Sequence, residues 1–329
     1  MTSIAIVGQG AMGRVHATAW SEIGLGEDIA YVCGRSTPVP LEGAPRARFV
    51  TDFDVVLGDP DVGIVSVCTP TPTHAEIAIR CLDAGKSVLL EKPIALTLVD
   101  AHAIREAAAT SPGVLMVAHV VRFFDGYRAI REQADADALG SVLAVRAARI
   151  SPVPGPSTWW HDESKSGGVL VDFGIHDFDQ LNLFLGRPLA VSARRARPDG
   201  PFEVAVDYEG GGSGQALSFM GMPPGFSFAS SIEVLGSRGL ADYHFAGALG
   251  EPSGGEATGG DGYRIMTGST LENVPVARTN PYAAQARYFL DCVERGVDPT
   301  FCPTDAAVRA LAVSLAARES FATGRPALV

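Results

Sequence analysis

The chain has 329 residues, 47% of them hydrophobic and 19% charged, a composition that packs into folded domains and excludes a disordered polypeptide. Its 26 Lys and Arg against 37 Asp and Glu leave a formal net charge of −11, which repels phosphate backbones and anionic headgroups and argues against nucleic acid or membrane surfaces as partners. The cysteines (Cys33, Cys68, Cys81, Cys292, Cys302) are odd in number and contain no CxxC pair, which argues against a disulfide framework or zinc ribbon and makes a reducing cytoplasm the expected compartment.

No basic segment leads into a long apolar run at the start, and nowhere do about 18 apolar residues follow one another, so neither signal peptide nor membrane span is expected. Over the first 120 residues, strand-length apolar runs alternate with segments of helical period. Ser3–Val7, Ile29–Cys33, Ile64–Cys68, Ser87–Leu90 and Val114–Val117 are rich in branched residues and nearly continuous in hydrophobicity, as suits strands buried on both faces of a parallel sheet. Met12–Ile23, His74–Ala84 and Leu98–Ala109 are long enough to be crossover helices. Thr73 with Glu76 reads as a capping box, and Gly85 as a helix stop. The alternation predicts a doubly wound sheet over residues 1–121, with ligands at the carboxyl ends of its strands.

Beyond residue 122 the texture changes. A helix over Asp125–Ala136, the apolar run Ser141–Ile150, a Pro-rich loop over Ser151–Ser157 and a helix over Val171–Leu185 are followed by Leu189–Arg195, Phe202–Tyr208, Gln215–Met220, Ser227–Leu235 and Leu240–Phe245. Consecutive short strands with turn signals predict a largely antiparallel sheet, so residues 122–329 read as an α+β domain. Gly250–Gly262 reads as a surface loop, and closing helices over Ala283–Arg295 and Asp305–Ala322 are expected, with the option of packing back on the first domain.

Gly8-Gln9-Gly10-Ala11-Met12-Gly13 is a G-x-G-x-x-G directly after a strand and at the start of a helix. Such glycines permit a tight turn, close approach of a pyrophosphate and tight helix-to-strand packing, and the helix N-terminus faces the negative charge. NAD binders usually place an acidic residue at the end of the second strand. Here the stretch is Cys33-Gly34-Arg35-Ser36, without a carboxylate. Arg35 and Ser36 suit a 2′-phosphate, which favours NADP(H), with NAD(H) as the alternative.

Glu91-Lys92-Pro93 ends the fourth expected strand, which brings the Lys92 ammonium to the ligand edge of the sheet. Downstream of Gly167-Gly168, Asp172, His176 and Asp179 fall at i, i+4, i+7 on one helical face, beside an apolar stripe of Phe178, Leu181 and Leu185. A carboxylate one turn from an imidazole can orient it and favour its protonated form, as a base that takes a hydroxyl proton requires.

Together these motifs resemble the Gfo/Idh/MocA family of oxidoreductases, which includes glucose-fructose oxidoreductase and inositol dehydrogenase. The resemblance extends to Thr69-Pro70-Thr71 with His74, Arg122-Phe123, Trp159-Trp160, and Ser320-Phe321-Ala322-Thr323-Gly324-Arg325-Pro326. It implies hydride transfer between nicotinamide and a secondary alcohol, or the matching ketone, of a cyclic polyol or sugar. Carried over by position, Lys92 binds the reacting oxygen, His176 exchanges its proton, and Asp172 holds His176 or the substrate. Gly8, Gly10, Ala11, Met12, Gly13, Arg35, Ser36, Thr69, Pro70, Thr71, His74, Glu91 and Lys92 form the expected cofactor set; His119, Arg122, Trp159 and Trp160 are candidate substrate contacts. No metal is expected, because the Asp/His pair has no evident third ligand. The resemblance also implies a homodimer or homotetramer.

Two departures stand out. Gly34 lies where NAD-using relatives carry an acidic residue, and His119 precedes Val120-Val121-Arg122-Phe123 where relatives often show a polar residue such as Asn. His16, His102 and His244 read only as helix or strand surface. Two alternatives stay open: a catalytically silent nucleotide- or sugar-sensing regulator, and a closed redox cycle on a tightly held cofactor.

Overall fold

The apolar runs of the first 120 residues pair as a parallel sheet. In this computed structural model, which describes residues 3–35, 37–153, 155, 160–247, 262–277 and 279–329, the strands are β1 (Ser3–Val7), β2 (Ile29–Cys33), β3 (Arg48–Val50), β4 (Val62–Val67), β5 (Ser87–Glu91) and β6 (Leu115–Ala118). Their order is β3-β2-β1-β4-β5-β6, with every neighbouring pair parallel. The order reverses beside β1, between β2 and β4, so the loops after β1 and β4 share the carboxyl edge where such sheets take nucleotides.

Helices α1 (Ala11–Glu22), α2 (Phe53–Gly58), α3 (His74–Asp83) and α4 (Leu98–Thr110) alternate with these strands. β3 and α2 have no counterpart among the expected elements. Three residues at the sheet edge, none fully buried, leave no hydrophobic run to detect. The Thr73 hydroxyl does not cap α3: it bonds back to Thr69 Oγ1 at 2.7 Å and to the Pro70 carbonyl at 2.8 Å, so the expected capping box is absent. Gly85, at φ +73°, follows α3 in the left-handed conformation expected of a stop.

Residues 121–279 and 309–329 form a second unit. It contains α5 (Asp125–Asp135), β7 (Val142–Pro152), α6 (Glu163–Ser166), a π-helical turn over Val169–Phe173, and α7 (Ile175–Leu185). Strands β8 (Pro188–Arg194), β9 (Phe202–Tyr208), β10 (Ser213–Met222), β11 (Phe228–Gly236), β12 (Gly239–Gly247), β13 (Gly262–Thr267) and β14 (Thr270–Pro275) follow. The remaining elements are α8 (Pro281–Arg295), α9 (Thr304–Thr323) and β15 (Ala327–Leu328).

The second sheet runs β14-β13-β12-β11-β7-β10-β9-β8-β15, antiparallel except where β7 meets β10. Alternate residues of β9 (Phe202, Val204, Val206 and Tyr208) are buried in one core with Phe178 and Leu181 of α7, the period-2 and helical patterns meeting face to face. The β13–β14 hairpin has no counterpart among the expected strands; of the surface loop expected over Gly250–Gly262, residues 250–261 lie outside the described residues and Gly262 opens β13.

The first unit comprises residues 1–120 and 280–308, so α8, read from sequence with residues 122–329, belongs to the first unit. Phe289 of α8 meets Trp20 of α1 edge-to-face with ring centroids 6.5 Å apart, and the Trp20 indole N–H donates to Ser66 Oγ at 2.9 Å. Among the described residues no helix is long and apolar enough to cross a membrane. All five cysteines are buried free thiols.

Candidate active site

The glycine-rich turn is built by contact. The Gly8 N–H donates to the Cys33 carbonyl and the Cys68 N–H to the Val7 carbonyl, each at 2.8 Å, which ties the ends of β2, β1 and β4 together. Gly8 has φ +108°, and a Cβ there would lie 2.4 Å from the Cys68 carbonyl oxygen; a Cβ on Gly13 would lie 2.0 Å from the Gly8 carbonyl oxygen. Both positions must therefore be glycine. Gly10 differs, because a Cβ there would meet nothing within 4 Å. Gly10 is also the N-cap of α1, whose first turn carries no acidic side chain. An open cradle above uncapped helix N–H groups fits the pyrophosphate of a dinucleotide. Ala11 and Gly10 are exposed and Met12 is half-buried in this turn; Arg35 is exposed beyond β2, and Ser36 lies outside the described residues.

Several residues grouped by sequence with the cofactor brace the loops around this turn. His74 is buried, with its ring nitrogens each 2.9 Å from a carbonyl oxygen, Nδ1 from Pro93 and Nε2 from Thr69. It joins the loop after β4 to the turn after β5, and burial pushes its pKa down. Thr71 is buried in the same loop, while Thr69 and Pro70 are half-buried. Glu91 is 5% exposed and accepts the Lys92 N–H at Oε2, 3.1 Å away, so it fixes the backbone from which the half-buried Lys92 projects.

The other Glu91 oxygen meets His16 Nε2 at 2.9 Å. His16 is 2% exposed, not the surface histidine expected from sequence. Three residues past Gly13 on α1, it faces the sheet, and its partner lies 75 residues away, so no local pattern marked it. Burial works against charge on His16, but the neighbouring Cys68 and Glu91 outweigh it and push its pKa up to about 10. A histidine pKa raised above its ordinary 6.5 contributes stability that is full below about pH 6.5 and is lost as pH rises through about 10. The melting midpoint of the wild type should therefore fall more steeply between those pH values than that of His16→Gln. Equal slopes in a pH series of thermal melts would remove His16 as the titrating group.

In the second unit, Asp172 and His176 are both half-buried. Gly167 and Gly168 have φ +81° and +74°, and a Cβ on Gly167 would lie 2.6 Å from that of Val171, so the double glycine is what lets the chain enter the π-turn. The Gly174 N–H donates to the Val169 carbonyl at 2.8 Å, the five-residue step of a π-turn. Asp172 thus lies in the π-turn and not on α7, and of the three residues expected on one face Asp179 alone is buried. The Asp172 carboxylate accepts the Trp160 indole N–H at 2.8 Å. Trp160, expected to meet substrate, thus orients a candidate catalytic carboxylate; Trp159 lies outside the described residues.

Asp179 points into the protein. At 1% exposure it forms a two-bond ion pair with Arg122, at 2.7 Å from Nε and 2.6 Å from a terminal nitrogen. Arg122, a candidate substrate contact from sequence, is 3% exposed and takes part in this pair. Asp177, fully buried, pairs with Arg149 of β7 at 2.9 and 3.2 Å, and burial pushes its pKa up against the pull of that guanidinium. Arg149 also lies 5.8 and 5.5 Å from the ring centres of Phe173 and Phe228. Two buried ion pairs therefore clamp α7 immediately after His176. His119 is buried at 2% exposure in the first unit, and its backbone N–H donates to the Val117 carbonyl at 2.8 Å. Among the described residues no three His, Cys, Asp or Glu side chains converge as a metal site.

A family model described as an oxidoreductase family with an NAD-binding Rossmann fold matches residues 2–119, and a Gfo/Idh/MocA C-terminal domain model matches residues 127–242. An inositol 2-dehydrogenase of Rhizobium meliloti (strain 1021) is 29% identical over 97% of this chain and 97% of its own. A scyllo-inositol 2-dehydrogenase (NAD(+)) of Bacillus subtilis (strain 168) is 26% identical over 98% of this chain and 94% of its own. The crystal structure of GenD2 from gentamicin A biosynthesis, in complex with NAD, matches with a TM-score of 0.81 at 28% identity, covering 100% of this chain and 96% of that one. With a parallel nucleotide-type sheet, a mixed second sheet and both family models matched in order, the chain belongs to the Gfo/Idh/MocA oxidoreductase family.

Proposed function

We propose that this protein oxidises a secondary alcohol of a cyclic polyol or sugar, or reduces the matching ketone, and that it uses NADP(H) in preference to NAD(H). Nicotinamide, when bound, supplies the hydride acceptor or donor. The observation that carries the reading is that Lys92 and His176 are each held by buried ionic scaffolding while remaining only half-buried themselves. A protein that only senses a nucleotide or sugar has no need of that precision.

In this reading Lys92 holds the reacting oxygen through its ammonium and stabilises alkoxide character, and His176 takes or returns the hydroxyl proton. Asp172, fixed by Trp160, orients His176 or a substrate hydroxyl. Glu91 positions Lys92 and does not touch substrate. The NADP(H) preference rests on Arg35 beside Gly34, with no carboxylate in Cys33-Gly34-Arg35-Ser36 to repel a 2′-phosphate.

The test is reduction of NADP+ and NAD+ in parallel by the purified protein over a panel of inositols, aldoses and sugar acids, followed by nicotinamide absorbance. Turnover on at least one ring alcohol, faster with NADP+, is expected. Tight dinucleotide binding with no turnover across the panel would overturn the reading in favour of a sensor.

A further inference from the structure

Gln9, between the first two glycines of the nucleotide turn, spends its side chain on the loop that follows β2. Its Nε2 donates to the Thr37 carbonyl at 2.9 Å, and its Oε1 accepts the Val39 N–H at 3.0 Å. Only one orientation of the amide satisfies both partners, so the pair defines that side chain completely. The two bonds strap Thr37 and Val39 to the glycine turn, and Arg35 leaves β2 just ahead of the strapped stretch.

The same side chain fills the space beside Gly34. A Cβ there would lie 3.1 Å from Gln9 Cδ, 3.3 Å from Gln9 Cγ and 3.1 Å from Phe49 Cε2 of β3. The Gly34 backbone has little room to retreat, because its N–H donates to the Val50 carbonyl at 3.0 Å. A side chain at position 34 therefore needs the Gln9 strap and the Phe49 ring to give by a few tenths of an ångström.

We propose that Gln9 is a specificity-determining residue for the dinucleotide: its strap sets the loop from which Arg35 reads the 2′-phosphate, and its bulk crowds a carboxylate placed at position 34. The proposal rests on the NADP(H) reading above. It makes positions 9 and 34 a coupled pair, so that conversion to NADH use requires changing both.

The test is calorimetric titration of NADPH and NADH into the wild type, Gln9→Ala, Gly34→Asp and the double variant, with thermal melts of each. Gln9→Ala should weaken NADPH binding about fivefold to tenfold and NADH binding less than about twofold, as expected when one charge-assisted contact loosens. Gly34→Asp alone should lower the melting midpoint and gain no NADH affinity. Adding Gln9→Ala to it should raise the midpoint again and tighten NADH about tenfold, a non-additivity expected of neighbouring residues. Additive effects within about twofold, or equal weakening of both dinucleotides by Gln9→Ala, would overturn the proposal. If Gly34→Asp does not fold, Gln9→Met, which removes both bonds while filling the space, decides alone: it should weaken NADPH as Gln9→Ala does, and unchanged binding would overturn the strap. A wild type that binds NADH more tightly than NADPH would refute the NADP(H) reading, whereas the coupling between positions 9 and 34 is scored separately within the same cycle.

Discussion

His176→Ala is expected to lower kcat by about 10²- to 10⁴-fold while leaving the dinucleotide dissociation constant and the melting midpoint near those of the wild type. The imidazole is polar and only half-buried, so truncation removes a proton acceptor without deleting a fully buried apolar side chain. Its helix stays clamped by Arg149–Asp177 and Arg122–Asp179, so the loss would report chemistry and not misplacement. Lys92→Met should match this loss in kcat/KM, because an ammonium that steadies a developing alkoxide acts chiefly in the transition state. Trp160→Phe, which keeps an aromatic ring but removes the N–H bound to Asp172, should cost about tenfold or less in kcat, in line with the loss of one hydrogen bond to a charged group. Retention of kcat within about threefold in both His176→Ala and Lys92→Met would contradict the proposed proton chemistry, since general acid–base groups contribute at least two decades.

The parts of this molecule legible in its sequence are those with a local signature. Buried parallel strands announce themselves as short branched runs, and Gly8-x-Gly10-x-x-Gly13 marks its own turn because two of its glycines have backbone oxygens in the way of any Cβ. Glu91-Lys92-Pro93 and Asp172-x-x-x-His176 were visible as motifs, but the supports of those residues were not. His16 reaches Glu91 across 75 residues, and Arg122 reaches Asp179 across 57, pairings that no periodicity encodes. Helical spacing placed Asp172, His176 and Asp179 on one face; Asp172 lies in the π-turn at Val169–Phe173 and not on α7, and a buried arginine decides where the Asp179 carboxylate goes. Gln9 illustrates the same limit, since a variable position inside a glycine motif carries no message until its two backbone partners are seen.

The largest stability effect is expected at the Arg122–Asp179 pair. Both side chains are almost wholly buried, at 3% and 1% exposure, and the guanidinium meets the carboxylate through two short bonds. Asp179→Ala would leave Arg122 charged, buried and missing its counter-ion, a change that costs about 3–5 kcal/mol. For a unit of this size each kcal/mol corresponds to roughly 2–4 °C in melting midpoint, so a fall of at least 6 °C is expected. The pair as a whole is worth much less than either half alone, because its attraction largely offsets the desolvation of two charges. Replacing both members, Arg122→Met with Asp179→Leu, should therefore recover most of the stability lost in Asp179→Ala. Recovery of kcat in that double variant would show that the pair serves His176 only by holding α7. Stability regained without kcat would mean that α7 needs this ionic clamp to keep His176 in register, and an Asp179→Ala loss below about 1 kcal/mol would show that water reaches Arg122 once its partner is gone.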